Sequence, residues 1–353
     1  MAPVAVVTGG SGGVGRAVVR ELSDRGFDVA ILARGEAGLA GAVQDVEDRG
    51  RRALACAADV SDWDQVDAAA SRIETELGSI DVWVNNAMTT VFSWSWDIEP
   101  DEFRRATEVT YLGVVHGTLA SLARMRPRDQ GRIVNVGSAL AHLGIPLQAP
   151  YCGAKFAVRG FTESVRAELI QEGSGVVLSE VHLPAVNTPQ FDWCCAKLAN
   201  QPQPVEPIYP PEVAARAIVD AAFDGRRTGV LGSWNRGIVW ATRLVPGVAA
   251  HFAAESAVDG QQTEDPIDPD RPANLWEPVD RERDHGAQGR FSDIANGVLT
   301  PAFLRSVPDT LRQLVAAARE SASWRAGRGE RSAALRRTVL TGDGGDGRSG
   351  SYH

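Results

Sequence analysis

The sequence predicts a parallel, doubly wound α/β sheet of about seven strands, followed by an irregular C-terminal extension. Three observations carry that expectation. Short apolar runs rich in β-branched residues alternate with stretches whose apolar positions recur at helical spacing, the pattern of strands joined by crossover helices. A glycine turn, T-G-G-S-G-G-V-G at 8–15, stands at the first strand-helix junction. The alternation then stops near residue 232, and the chain beyond it is first acidic and proline-rich, then basic.

Taken in order, Val4 to Val7 is the first strand, and R-A-V-V-R-E-L-S-D-R-G after the turn is the first helix. Gly9, Gly13 and Gly15 are spaced T-G-x-x-x-G-x-G, and with Ser11, Gly12 and Val14 they form a turn through which a backbone can approach a pyrophosphate closely. A purely structural loop is the alternative. The second strand, F-D-V-A-I-L-A, ends at Ala33 and Arg34. An acid at that strand end suits a ribose hydroxyl and an arginine a 2′-phosphate, so Arg34 points to NADP over NAD unless it simply faces water; Glu36 nearby weakens the preference.

A helix from about Ala37 to Arg49 leads to a third strand ending in Asp59 and Val60, where the acid can meet the adenine amine or cap a helix. After a helix from Trp63 to Leu77 comes I-D-V-W-V-N-N-A-M, a fourth strand with Asn85, Asn86 and Ala87 at its carboxyl end, the edge at which open parallel sheets bind ligands. Asp101 to Met125 reads as one helix capped by Asp101, with Phe103, Ala106, Val109, Leu112, Val115, Leu119 and Leu122 as its apolar stripe. R-I-V-N-V-G-S is the fifth strand, Tyr151 to about Gln171 a helix, G-V-V-L-S-E-V-H-L-P the sixth strand, and Arg227 to Leu231 the seventh.

Tyr151 and Lys155 are four apart in that last long helix, so both leave one face about a turn apart. An ammonium beside a phenol favours the phenolate and brings a poor acid-base group toward neutral pH. Ser138, thirteen positions before Tyr151 and just after the fifth strand, can hold a carbonyl or alcohol oxygen beside the phenol. Such Tyr/Lys pairs also arise on solvated helix faces.

The chain has 353 residues, 44% of them apolar and 23% charged, and a net charge of −9, a balance that argues against a general nucleic-acid binder. The start, M-A-P-V-A-V-V-T-G-G, has no basic leader, and the longest apolar stretch, Gly237 to Ala254, is broken by Arg243, Pro246 and His251. Four cysteines make neither a disulfide framework nor a spaced metal site, which suits reduced thiols in a cytoplasm.

Together these motifs resemble the short-chain dehydrogenase/reductase family: the glycine turn, N-N-A after the fourth strand, a serine thirteen before Y-x-x-x-K, and P-x-V-x-T at 184–188. The resemblance covers residues 3 to about 232 and implies a Rossmann-like catalytic domain over 1–232. It implies that Tyr151 is the general acid or base, that Lys155 lowers its pKa and binds the nicotinamide ribose, and that Ser138 orients the reacting oxygen. Pro184, Val186 and Thr188 would clasp the nicotinamide end. Met88 stands where the family has glycine in N-N-A-G, Thr110 where it has a catalytic asparagine, and Ala185 where it has glycine; these departures question the pocket floor, the proton relay and the loop. The family implies pairing through two long helices, hence a homodimer or homotetramer.

In 187–211, Phe191, Trp193, Cys194, Cys195 and Tyr209 suggest a lid over a bulky or apolar substrate, or packing against neighbouring helices. Residues 233–309 form an extension: an amphipathic piece around Trp234 to Val245, then an acidic arm with ten Asp/Glu against three Arg over 254–285. That arm is expected to run irregularly and to wrap the core through Leu275 and Trp276. Its D-x-D spacing lacks the glycine and distant glutamate of a calcium loop and reads as a solvated charge run, so no metal is expected. Residues 310–353 are a basic, helix-prone tail with a disordered end. The expected activity is an NADP-preferring oxidoreductase of alcohols and ketones; the rivals are a dinucleotide-binding sensor or scaffold, and an epimerase or dehydratase on a nucleotide sugar.

Overall fold

Val4–Thr8 (β1), Asp28–Ala33 (β2), Ala53–Ala57 (β3), Ile80–Asn85 (β4), Gly131–Ser138 (β5), Val176–Leu183 (β6) and Thr228–Val230 (β7) form one seven-stranded sheet. This is a computed structural model, and it describes residues 2–298 apart from 225–226, 246, 248–253 and 255–256. The strand order is β7-β6-β5-β4-β1-β2-β3, with every pair parallel. Order reverses between β1 and β4, so the crevice outside their carboxyl ends is the place where ligands bind such sheets.

The five inner strands are buried on both faces, which is why they read as continuous apolar runs rather than alternating ones. On one face Val7, Val29, Ile31, Val134 and Val181 pack with Gly13–Asp24 (α1), Glu36–Glu47 (α2) and, after the sixth strand, a helix at Pro211–Phe223. On the other, Val6, Leu32, Trp83 and Ile133 pack with Trp63–Glu76 (α3) and the later helices. Asp62 starts α3 by accepting hydrogen bonds from the amides of Asp64 and Gln65.

The stretch expected to be one helix is three pieces. Pro100–Thr107 (α4) and Gly113–Met125 (α5) are separated by a π turn at Glu108–Leu112. The cap is Glu99, in a reciprocal box with Glu102 and with Pro100 in the first turn, instead of Asp101. In α4 Ala106 is buried and Phe103 exposed; from the wider π turn onward Val109 and Leu122 are buried while Leu112 and Leu119 are exposed. Ala149–Glu172 (α6), Pro211–Phe223 (α7) and Ser233–Leu244 (α8) complete the helices used below.

Past α8 the arm returns to the domain. Gln262–Pro266 pairs antiparallel with Asn200–Pro202, and Leu275 is sealed against Val91 and Ala106. Trp276, expected to help in that wrapping, is exposed. The described residues belong to one compact unit, and the basic tail at 310–353 lies outside them.

Candidate active site

The glycine turn follows β1 directly. Gly9 and Gly13 have φ of +65° and +55°, a region that favours glycine, and a Cβ on Gly9 would come within 2.8 Å of Ala87 Cα. A Cβ on Gly15 would run into the Gly9 carbonyl. Asn86 fastens the turn by donating from its side chain to the carbonyls of Thr8 at 3.1 Å and Gly9 at 3.3 Å. The Thr8 hydroxyl accepts from the amides of Asn86 and Ala87. Asn85, by contrast, is buried in a network with Trp83, Thr118 and Asn135 and supports the sheet.

Ser138 ends β5 and the α6 pair faces it, at the same carboxyl edge as the glycine turn. The Tyr151 hydroxyl lies within hydrogen-bonding reach of Ser138, whose Oγ accepts from the Leu140 amide at 3.1 Å. Lys155 is buried, donates from Nζ to the Val136 carbonyl at 2.7 Å, and lies 5.5 Å from the centre of the Tyr151 ring. The expected electrostatic arrangement therefore differs. Burial pushes the Tyr151 phenol up to about 12, the Ser138 hydrogen bond opposing it. Burial also lowers Lys155 to about 8, against the attraction of Glu180. The phenol is thus held above its ordinary range.

Thr110 does not join the group. Its hydroxyl donates to the Thr89 carbonyl at 2.6 Å and accepts from the Thr89 amide at 3.0 Å, so it clips the loop after β4 from within the π turn. That corrects its expected catalytic place: both strong hydrogen bonds of a short side chain are already engaged. Ala185 belongs to a two-residue strand, Ala185–Val186, paired with Ile208–Tyr209, and has no positive φ. The loop thus accommodates alanine without strain. Thr188 lies against Gly13, 3.3 Å from where its Cβ would stand, which joins the end of the P-x-V-x-T segment to the glycine turn.

Sequence reasoning missed Glu180 and His182. Both are buried on β6 behind Ser138, with Glu180 Oε1 3.8 Å from His182 Nε2 and His182 Nδ1 3.2 Å from the Ser138 carbonyl. Burial raises Glu180 to about 7 and lowers His182 to about 3; His142, edge-on to it at 4.5 Å, falls to about 4. The signal was available: S-E-V-H-L places two ionisable residues inside an otherwise apolar strand.

At the opposite end of the crevice the predicted ligands are already engaged. Asp59 pairs with Arg105 and accepts from the Ser61 hydroxyl at 2.7 Å, so it is an ion-pair partner rather than an open acceptor. Val60 is buried against Gly113. Arg34 donates to the carbonyls of Trp276 at 2.7 Å and Asn274 at 2.6 Å. Phe191 packs between Phe92 and Phe291, and Cys194 is buried, so these lid residues serve packing. A dinucleotide nevertheless fits the donor set: the amides opening α1 and α2, a turn kept free of side chains, and Arg34 at the end of β2. Among the described residues no cluster of three or more His, Cys, Asp or Glu could hold a metal, and no helix is long and apolar enough to cross a membrane.

Sheet order, glycine turn and switch point define an α/β, Rossmann-like fold. The profile of the short chain dehydrogenase family matches residues 3–193, and the chain belongs to that family of oxidoreductases. It is 31% identical over 276 residues, 78% of each chain, to the uncharacterized oxidoreductase YxnA of Bacillus subtilis. It is 32% identical over 241 residues to a 3-ketodihydrosphingosine reductase of Bos taurus, covering 65% of this chain and 70% of that one. A crystal structure described as a short-chain alcohol dehydrogenase from Sinorhizobium meliloti 1021 is similar with a TM-score of 0.50 and 28% identity, over 53% of this chain and 73% of that one.

Proposed function

We propose that the protein is an NADP-preferring oxidoreductase that reduces a bulky, apolar ketone, with Tyr151 as proton donor. The observation that carries the reading is the convergence of Ser138, Tyr151 and the buried Lys155 at the sheet edge that also bears the glycine turn. A bound NADPH would supply the hydride. Ser138 would hold the ketone oxygen, and Tyr151, protonated at neutral pH, would give that oxygen its proton from the phenolic Oη. Lys155, through its charge, would ease loss of that proton as the alkoxide forms. Relatives named for 3-dehydrosphinganine and 3-ketodihydrosphingosine support a ketone as substrate. Arg34 supports the 2′-phosphate, and Gly9, Ser11, Gly12, Gly13, Val14 and Gly15 the pyrophosphate; Asn86 and Ala87 would act by shaping that turn.

A cytoplasmic homodimer or homotetramer belongs to the same reading. Leu112 and Leu119 on the helix pair and Phe156 on α6 are exposed apolar side chains that a second copy would cover. The sensor or scaffold reading is favoured by one observation, the engagement of Thr110 away from the catalytic group.

The test is consumption of NADPH and NADH with a panel of hydrophobic ketones, in the wild type and Arg34→Ala. Turnover is expected with NADPH, and the variant should lose about tenfold or more in NADPH affinity against little for NADH. Equal losses would remove Arg34 from the cofactor preference. Saturable binding without turnover on any ketone would favour the sensor.

A further inference from the structure

Residues 274–286 lie across the adenosine and pyrophosphate end of the crevice, and their contacts fall on the groups that would receive a dinucleotide. Gly13, the first residue of α1, donates its amide to the Gly286 carbonyl at 3.0 Å. Ala37 and Gly38, in the first turn of α2, donate theirs to the carbonyls of Arg281 at 3.2 Å and Asp280 at 3.1 Å. Both helix starts that face the crevice are thus capped by one stretch of chain.

The cations are taken as well. Arg16, buried beneath the glycine turn, binds both carboxylate oxygens of Asp284 at 3.1 and 3.2 Å. Arg34 is held by the Asn274 and Trp276 carbonyls. The Asp280 carboxylate lies against Gly35 and Gly38, where any side chain would collide with it. Asn274 accepts from the Thr89 hydroxyl at 3.2 Å, and His285 packs edge-on to Trp193 at 4.9 Å. Leu275 anchors the stretch at 1% exposure.

We propose that 274–286 is a built-in occupant of the dinucleotide crevice, an autoinhibitory strap that the cofactor displaces in order to bind. The proposal rests on the reading of this crevice as a dinucleotide site. Its carbonyls and the Asp284 carboxylate satisfy the same amides and guanidinium groups that a pyrophosphate and a 2′-phosphate would satisfy, the Asp280 charge acts on Arg34 from nearby, and two acceptors cannot share one N–H donor at full strength. Opening therefore lowers the apparent affinity by the fraction of molecules in which the strap is released. Weakening the strap raises that fraction.

The experiment uses the full chain and NADPH. Binding is titrated by fluorescence for the wild type, Asp284→Asn and the Asp280→Asn/Asp284→Asn double variant, and hydrogen exchange of 274–286 is followed in the wild type with and without NADPH. The exchange measurement needs no substitution, so it decides even if a variant folds poorly. Expected results are NADPH affinity about fivefold or more tighter in the double variant, within the usual range of coupling between sites, and faster exchange in 274–286 when NADPH is added. Binding that is unchanged or weaker in the variants, with 274–286 protected by NADPH, would overturn the strap and make the segment a clamp on the cofactor. Absence of saturable NADPH binding in the wild type and both variants would instead overturn the dinucleotide reading, and the strap with it.

Discussion

Lys155 lies over the ring of Tyr151: its Nζ is 5.5 Å from the ring centre and donates to the Val136 carbonyl at 2.7 Å. The hydroxyl lies within reach of Ser138, in surroundings that oppose the phenolate. The pair is thus an acid held protonated with a cation over its ring.

That arrangement has a spectroscopic consequence. In an alkaline titration of the cofactor-free protein followed by phenolate absorbance, one of the four tyrosines should titrate near the value of about 12 to which burial pushes Tyr151. Tyr151→Phe should remove that step. A Tyr151 step below the ordinary phenol value of about 10 would contradict the placement of Lys155.

Glu180 ties the site to the pH dependence of stability. Its folded pKa is raised by burial to about 7 from 4.5, with Arg166, Lys155 and Arg159 opposing the rise and Glu163 adding to it. The folded state therefore holds a proton that the unfolded state releases, and this contribution is complete below pH 4.5 and lost as pH rises through about 7. The unfolding free energy of wild type minus that of Glu180→Gln should fall across this window by up to about 3 kcal/mol. His182 and His142, lowered by burial, act oppositely, since their contribution is lost on acidification, and they largely cancel in the difference. A flat difference in denaturant titrations would show that Glu180 is not held neutral.

Thr110→Val keeps the shape of the side chain and removes both hydrogen bonds to Thr89. Leaving the buried Thr89 amide and carbonyl unpaired should cost about 1–3 kcal/mol in denaturant unfolding. With a relay role, activity would collapse while stability held; a loop clip predicts loss of stability first.

Strands, glycine turn and the Ser138, Tyr151 and Lys155 cluster were legible because each leaves a local mark: a buried β-branched run, glycines at fixed offsets, or two residues one turn apart. Glu99 displaced Asp101 as cap because the proline after it fixes where the helix begins, a cue present but outweighed by the preference for aspartate. The π turn at Glu108–Leu112 left no mark, since its periodicity differs by a single residue. Leu275 could be picked out as an apolar residue in an acidic arm, but the seats of Asp280 and Asp284 could not. Irregular chain is placed by tertiary contacts with Arg16 and the starts of α1 and α2, which no local pattern encodes.

The most direct measurement is single-turnover NADPH oxidation with a reducible ketone by Tyr151→Phe, with NADPH binding measured on the same sample. Retained binding and a rate reduced by about a hundredfold or more are expected, the usual effect of removing a positioned general acid. A variant that reduces the ketone at the wild-type rate would contradict the role assigned to Tyr151, and with it the proposed chemistry of the site.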